Sequence, residues 1–255
     1  MAAKCSGCRN GRDLGFTLRT AFQPIVDLET GRPYAFEALV RGPAGETAGE
    51  VLAAVTDDNR YAFDQACRVN AIREAVAAGL LQTDSKLSIN FMPNAVYSPL
   101  ACIKLTLETA LELGLPTNRL IFEFTENEQL DPAHVLSIVR AYRALGFGTA
   151  IDDFGAGFAG LALLADLPAD TVKLDMALVR NIDVERPRRQ IVQSLVGLCR
   201  DMGLRLIAEG VETEGELTVL QDLGVRFVQG YLFARPQIGA LPEVSTHERL
   251  VRAVA

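Results

Sequence analysis

The sequence predicts an α/β fold, a modified (βα)8 TIM-like barrel whose first two strands run antiparallel. Three observations carry this reading. Eight short runs are rich in β-branched and aromatic residues and nearly continuous in apolar ones, as strands buried on both faces must be. Stretches with apolar residues at helical spacing lie between them, the alternation that builds a parallel sheet under helices. The first two runs flank Thr30-Gly31, which reads as a hairpin turn and makes the barrel irregular at its start.

The strand runs are TAFQPIVDL (20–28), YAFEALVR (34–41), KLSINFM (86–92), LIFEFTE (120–126), GTAIDDF (148–154), TVKLDM (171–176), RLIAEGV (205–211) and FVQGYLF (227–233). Among the helical stretches, 131–148 starts with Asp131 as N-cap and Pro132 at the first helical position, and Gly146 suits its C-terminal cap. The stretches 185–203 and 212–224 end on Gly203 and Gly224 in the same way. Residues 1–15 read as an N-terminal tail and 16–255 as one barrel domain, with no internal repeat or linker.

Composition bounds the function. The chain of 255 residues is 49% hydrophobic and 22% charged, enough apolar surface for a sizeable core. Its formal net charge of -7 argues against a polymeric nucleic acid as partner, since such binding rests on basic patches. No apolar stretch reaches the length of a membrane span, and the first residues lack the apolar centre of a signal peptide, so cytoplasm is the expected location. The five cysteines are expected to be reduced, with Cys67, Cys102 and Cys199 packing as small apolar groups in helices. Cys5-x-x-Cys8 reads as part of the tail, and Arg186, Arg188 and Arg189 as a solvated helix start.

Active-site residues of such a barrel sit at the C-terminal ends of its strands. Those ends carry Glu37, Asn90, Glu123 with Glu126, Asp152 with Asp153, Lys173 with Asp175, Glu209 with Glu212, and Gln229. A lone glutamate at a strand end is usually a solvated loop residue. Seven consecutive strands that each contribute a polar or charged group form a ring about one site. Carboxylates plus an amide oxygen, with no His or Cys, are the ligand set of hard divalent cations such as Mg²⁺ or Mn²⁺ and argue against zinc. Lys173, the one positive side chain of the ring, cannot compensate so many carboxylates. Two metal ions about 3.5–4 Å apart, bridged by one aspartate, can. The bland alternative for Lys173 is an ion pair with Asp175 at the barrel mouth.

The motifs FQPIVDL with FEALVR, LSIN, FEFTE, AIDDFGAG, VKLD, AEGVE and QGYLFARP together resemble the EAL-domain cyclic-di-GMP phosphodiesterases, over about Leu18 to Pro236. EAL alone is a common tripeptide, but DDFGAG followed by KLD and AEGVE at these spacings is specific. The likeness extends to EAL domains attached to BLUF light sensors. It implies a modified (βα)8 barrel with an antiparallel strand, in agreement with the hairpin. It implies Glu37, Asn90, Glu123, Asp152 and Asp153 as metal ligands, and Glu209 holding a metal-bound water. Lys173 and Gln229 would contact the attacking water and the second metal's shell, and Glu126 would anchor the loop that begins DDFGAG. Arg41 would reach the substrate, Gln23 would line the dinucleotide pocket, and Asp175 and Glu212 would complete the substrate side.

The implied function is metal-dependent hydrolysis of cyclic-di-GMP to linear pGpG in bacterial second-messenger signalling. Mg²⁺ or Mn²⁺ would support it, and Ca²⁺ would occupy the site and inhibit. A homodimer and control by a sensor protein in trans are further implications. The chain departs from the family pattern at Gly42, where members commonly carry Trp, and in the shorter segment that follows. A second reading keeps the fold without turnover: an EAL domain that serves as a cyclic-di-GMP receptor or a protein-interaction module.

Overall fold

The structure, a computed structural model, describes residues 17–125, 131–156 and 160–245. The hairpin is its first feature. Strand β1 (Arg19–Asp27) pairs antiparallel with β2 (Arg32–Arg41), from Arg19 opposite Arg41 to Asp27 opposite Arg32. The turn between them needs a left-handed residue, and Gly31 supplies it with φ 68°. After it come α1 (Ala48–Leu52), α2 (Arg60–Ala77), β3 (Lys86–Asn90), α3 (Pro99–Cys102), α4 (Lys104–Glu112), β4 (Leu120–Thr125), α5 (Pro132–Ala144) and β5 (Gly148–Phe154). The chain continues through α6 (Gly160–Asp166), β6 (Thr171–Leu174), α7 (Met176–Val179), α8 (Arg186–Asp201), β7 (Arg205–Ala208), α9 (Glu214–Asp222), β8 (Phe227–Val228) and β9 (Gln237–Ile238).

Strands β2 to β8 run parallel in sequence order, and β1 closes the ring by pairing antiparallel with both β2 and β8. Strand β9 adds to the other end of β1, opposite Ala21 and Phe22. The expected fold is therefore observed, with β9 as an unforeseen addition. Several strands are shorter than the apolar runs suggested. β7 stops at Ala208 and β8 at Val228, although Val211 and Phe233 beyond them are fully buried. Apolar continuity reports burial, and these residues bury as loop anchors over the barrel mouth.

Alternation along the strands builds the interior in layers. Ile25, Ala35, Ile121, Ala150 and Ile207 form an apolar cluster of their own. Each lies two residues from a polar residue of the mouth: Gln23, Glu37, Glu123, Asp152 and Glu209 respectively. The outward-facing residues pack under the helices in one large core that includes Phe122, Phe124, Tyr142, Val172 and Leu174.

The helix signals hold. Asp131 accepts from Ala133 N at 3.1 Å ahead of Pro132, and Gly203 and Gly224 take φ of 69° and 83° just past α8 and α9. Cys102 and Cys199 are buried as expected, and Cys67 is half-buried. The basic run at the start of α8 is corrected. Arg186 is exposed, but Arg188 donates to Arg180 O, and Arg189 donates to Ile182 O and Asp183 O. The loop before α8 leaves those carbonyls without helical partners, so the guanidiniums turn back to them. In α2, Arg68 and Asp64 form a fully buried ion pair at 2.5 Å, and Asp64 also accepts from Met92 N at 2.9 Å, tying the helix to the chain beyond β3. Among the described residues no helix is long and apolar enough to cross a membrane. The tail with Cys5 and Cys8 lies outside the described residues.

Candidate active site

Strand β6 aims Lys173 into the centre of the mouth, where it is fully buried. Its Nζ lies 2.7 Å from Glu209 Oε1, 2.8 Å from Glu123 Oε2, 3.0 Å from Asp152 Oδ1 and 3.3 Å from Glu37 Oε2. The alternative of a pair with Asp175 is corrected by this arrangement. β6 ends at Leu174, and Asp175 turns away to cap α7, accepting from Ala177 N at 2.8 Å.

An ammonium has three N–H donors, and four carboxylates converge on this one. Asp152 Oδ1 is buried, with the shared ammonium 3.0 Å away. The electrostatics show the same crowding. Burial, reinforced by Glu37 and Asp152 against the pull of Lys173, pushes Glu123 up to about 8. Burial and neighbouring carboxylates also raise Asp152, and raise Glu209 well above the usual glutamate range. Burial, then Asp152 and Asp175, lift Asp153 to about 6. Glu37 moves the other way. Burial opposes its charge, but Lys173 together with hydrogen bonds from Gln229 and Asn90 outweighs it and holds the carboxyl low. For Lys173 burial is likewise outweighed, and Asp152, Glu123, Glu209 and Glu37 keep it protonated.

Two carboxylate groups emerge from this cluster. Glu37, Glu123 and Asp152 form one, and Asp152, Asp153 and Glu209 the other, with ligand atoms in each within 4.8 Å of one another. Asp152 belongs to both. Asn90 donates to Glu37 Oε1 at 2.9 Å, so its amide stands beside the first group. Gln229 donates to Glu37 Oε2 at 2.7 Å and to Gln23 Oε1 at 3.2 Å, while its own Oε1 is buried without a partner. The residues fit a pair of hard divalent cations. The ligand atoms are all oxygen, negative charge is in excess, and Gln229 Oε1 is buried without a partner.

Local backbone serves the same end. Asp153 has φ 52°, a left-handed conformation that costs a non-glycine residue about 1–3 kcal/mol. It turns the second aspartate toward the mouth, where alternation alone would send it outward. Gly155 follows with φ 99°. Ser88 donates to the far oxygen of Glu123. It sits on the inward face of β3, two residues before Asn90, and sequence reading missed it because a strand serine carries no charge signal.

A cavity of about 290 Å³ opens over these groups, walled in part by Leu39, Met176 and Tyr231, which the sequence did not single out. Gln23, Asp175, Glu212 and Gln229 line it as well. Glu212 is engaged on both oxygens by Arg180, at 2.8 and 2.9 Å. Gln23 donates to Ala234 O at 3.1 Å. Arg41 lies outside the lining, at the outer end of β2, and donates to Val40 O at 2.7 Å. Glu126 lies outside the described residues. The structure thus brings Glu37, Asn90, Glu123, Asp152, Asp153, Lys173, Glu209 and Gln229 into one cluster.

Comparison with known proteins gives this arrangement a context. The family model described as EAL domain matches residues 13–236. The chain is similar to the c-di-GMP-bound form of a standalone versatile EAL protein from Vibrio cholerae O395, with 47% identity and a TM-score of 0.88 over 91% of this chain and 98% of that one. A manganese/cy-diGMP complex of Klebsiella pneumoniae BlrP1 matches with 35% identity and a TM-score of 0.84, over 90% of this chain and 58% of that one. Among curated relatives, the blue light- and temperature-regulated antirepressor BluF of Escherichia coli (strain K12) is 30% identical over 90% of this chain and 57% of its own length. The cyclic di-GMP phosphodiesterase PA2567 of Pseudomonas aeruginosa is 31% identical over 89% of this chain and 39% of its own length. The chain therefore spans well under two thirds of these two curated relatives.

Proposed function

The chain belongs to the EAL domain family, and from that premise we propose that it hydrolyses cyclic-di-GMP to linear pGpG with two divalent cations, Mg²⁺ or Mn²⁺. The carrying observation is the pair of oxygen-ligand groups that share Asp152. Relatives named cyclic di-GMP phosphodiesterase support the reaction, and a neighbour in complex with manganese and the dinucleotide supports the ion.

Glu37, Asn90, Glu123 and Asp152 would hold one cation, and Asp152, Asp153 and Glu209 the other. Bound there, such ions lower the pKa of a water and stabilise the attacking and leaving oxygens of an in-line displacement. The protein supplies orientation and proton handling around them. Lys173 is held protonated by its carboxylates, so it acts as a donor that orients the attacking water and stabilises phosphoryl charge, and it does not act as a base. Glu209 faces the cavity and can accept the proton the water loses. Gln229, fixed through Glu37 and Gln23, supports the same corner. Gln23 and Asp175 stand where the dinucleotide would lie, and Arg41 would reach it by swinging in from the outer end of β2. The test is incubation with cyclic-di-GMP and Mn²⁺, with the product identified by chromatography. Appearance of pGpG supports the reading, and intact dinucleotide after prolonged incubation overturns it.

One observation favours a second reading. The BluF relative is named an antirepressor, which fits an EAL domain that binds and signals without turnover. Saturable binding of cyclic-di-GMP in the presence of Mn²⁺ with no pGpG would select it.

A further inference from the structure

Two loops frame the cavity on one side. The loop after β6 includes Asp175, the short helix α7 from Met176, and Arg180 and Asn181 that follow it, and the loop after β7 carries Glu209, Gly210 and Glu212. They are joined in three independent ways. Arg180 grips Glu212 with two parallel bonds, Nη1 to Oε2 at 2.8 Å and Nη2 to Oε1 at 2.9 Å. Glu216, almost fully buried, accepts Asn181 N at 2.9 Å with one oxygen and Glu212 N and Thr213 N at 2.9 and 3.1 Å with the other. Gly210 lies so close to Met176 that a Cβ on it would come within 2.4 Å of the methionine Cβ. The chain accepts a left-handed residue, Asn181 with φ 58°, beside Arg180 in this arrangement.

Arg180 and Glu212 are both about one-third exposed, so the contact holds little energy by virtue of burial. Its content is geometric. A guanidinium meeting a carboxylate through two bonds fixes orientation as well as distance. Both Glu212 oxygens are occupied in the grip, which leaves this carboxylate poorly placed to serve a phosphodiester ligand that is itself an anion. Three residues back along the same loop, Glu209 stands 2.7 Å from Lys173 Nζ and belongs to the second carboxylate group.

We propose that Arg180 is a positioning residue. By holding Glu212 it keeps the loop after β7 in place against the loop after β6, and so sets the carboxylate of Glu209 within the Asp152–Asp153–Glu209 group. The grip itself is a statement about this chain's loops, and only its consequence for turnover rests on the proposed phosphodiesterase activity.

The experiment compares Arg180→Ala, Arg180→Lys, Glu212→Ala and the double variant Arg180→Ala/Glu212→Ala with the parent chain. In metal-free protein, amide hydrogen exchange across 209–213 should rise in each variant while exchange in the barrel strands stays as in the parent. Mn²⁺ affinity, read by calorimetry, should fall about tenfold, the low end of the about 10–100-fold typical for residues that support a ligand shell. Arg180→Lys should resemble Arg180→Ala, because one ammonium cannot make the two parallel bonds. The double variant should be no worse than either single one. In turnover assays kcat should fall more than KM rises. Unchanged exchange across 209–213 in Arg180→Lys, or additive losses in the double variant, overturn the proposal. So does a variant set in which Glu212→Ala raises KM alone and Arg180→Ala does nothing, since Glu212 is then a substrate contact. If the parent chain makes no pGpG, the functional reading fails, and the exchange and Mn²⁺ measurements still decide the positioning role.

Discussion

Asp152 Oδ1 lies 3.0 Å from Lys173 Nζ, and the pair sits where the two carboxylate groups meet. Four carboxylates converge on this one ammonium, and Asp152 is the residue common to both carboxylate groups. Asp152→Asn should therefore lose both cation sites and Asp153→Asn only the second. Calorimetric Mn²⁺ titration is the measurement, with two sites expected in the parent, one in Asp153→Asn and none of comparable affinity in Asp152→Asn. EDTA should abolish hydrolysis and Mg²⁺ or Mn²⁺ restore it. Ca²⁺ should bind without supporting turnover, because its looser geometry holds water and phosphate less well. Full activity in EDTA would exclude two-cation chemistry.

Glu37 and Lys173 should differ in how they fail. Glu37→Ala removes a carboxylate that Gln229 and Asn90 both support, and metal affinity and turnover should drop together. Lys173→Met keeps the length of the side chain and removes the charge. Turnover should fall by about a hundredfold or more, the scale of a lost electrostatic donor. Mn²⁺ affinity should be retained or increased, because the cation site has lost a competing positive charge. A Lys173→Met protein that folds, binds Mn²⁺ and hydrolyses at the parental rate would reduce Lys173 to a structural ion pair.

The gathering of polar groups at the mouth was legible in the sequence because strand ends deliver it. Each apolar run closes on a polar or charged residue, and a barrel brings those ends together, as it does Glu37, Glu123, Asp152 and Lys173. The hairpin at Thr30-Gly31 and the cap at Asp131 were legible because each is local. Contacts between distant segments were not. Arg180 and Glu212 are 32 positions apart, and nothing in either neighbourhood signals the other. Asp64 and Arg68 look like an ordinary i,i+4 surface pair. They are buried, and their partners Tyr142 and Met92 come from other parts of the chain. The strand ends after β7 and β8 were misread because burial of Val211 and Phe233 mimics strand continuity.

The seam between β1 and β8 is narrow, with only Val26 opposite Val228 and Asp27 opposite Phe227. Arg226 spans it, donating to both oxygens of Asp27 at 2.9 and 2.7 Å. Burial works against the Asp27 charge, but Arg226 and the Glu29 backbone N–H outweigh it and hold the carboxyl below the usual aspartate value. A depressed acid stabilises the fold at every pH above its unfolded value and loses that contribution as pH falls through its folded value. The chain should therefore lose stability in acid, below about pH 4, the unperturbed aspartate range. Asp27→Asn should flatten that part of the profile while lowering stability at neutral pH. Thermal unfolding at a series of pH values measures it, and parallel profiles for the two proteins would remove Asp27 from the account.

Gly230 follows Gln229, and the loop it opens lies against the loop after β7. Val211 N donates to Gln229 O at 3.1 Å, and Leu232 N donates to Val211 O at 3.1 Å. A Cβ on residue 230 would fall 2.0 Å from Val211 O and 2.4 Å from Val211 N. Those atoms are backbone and cannot turn aside as a flexible side chain would. Gly230→Ala must therefore push the two loops apart. The displaced segment includes Gln229, whose Nε2 reaches Glu37 Oε2 at 2.7 Å, so activity should fall with stability. Overpacking of this kind costs at least ~1–3 kcal/mol. Gly197 provides the control. It lies within α8 with nothing inside 4 Å of its would-be Cβ, and Gly197→Ala should stabilise by about 0.5–1 kcal/mol through helix propensity. Thermal unfolding of both variants, with turnover alongside, separates the two cases. If Gly230→Ala melts and turns over like the parent, the contact between the loops after β7 and β8 does not hold Gln229 in place.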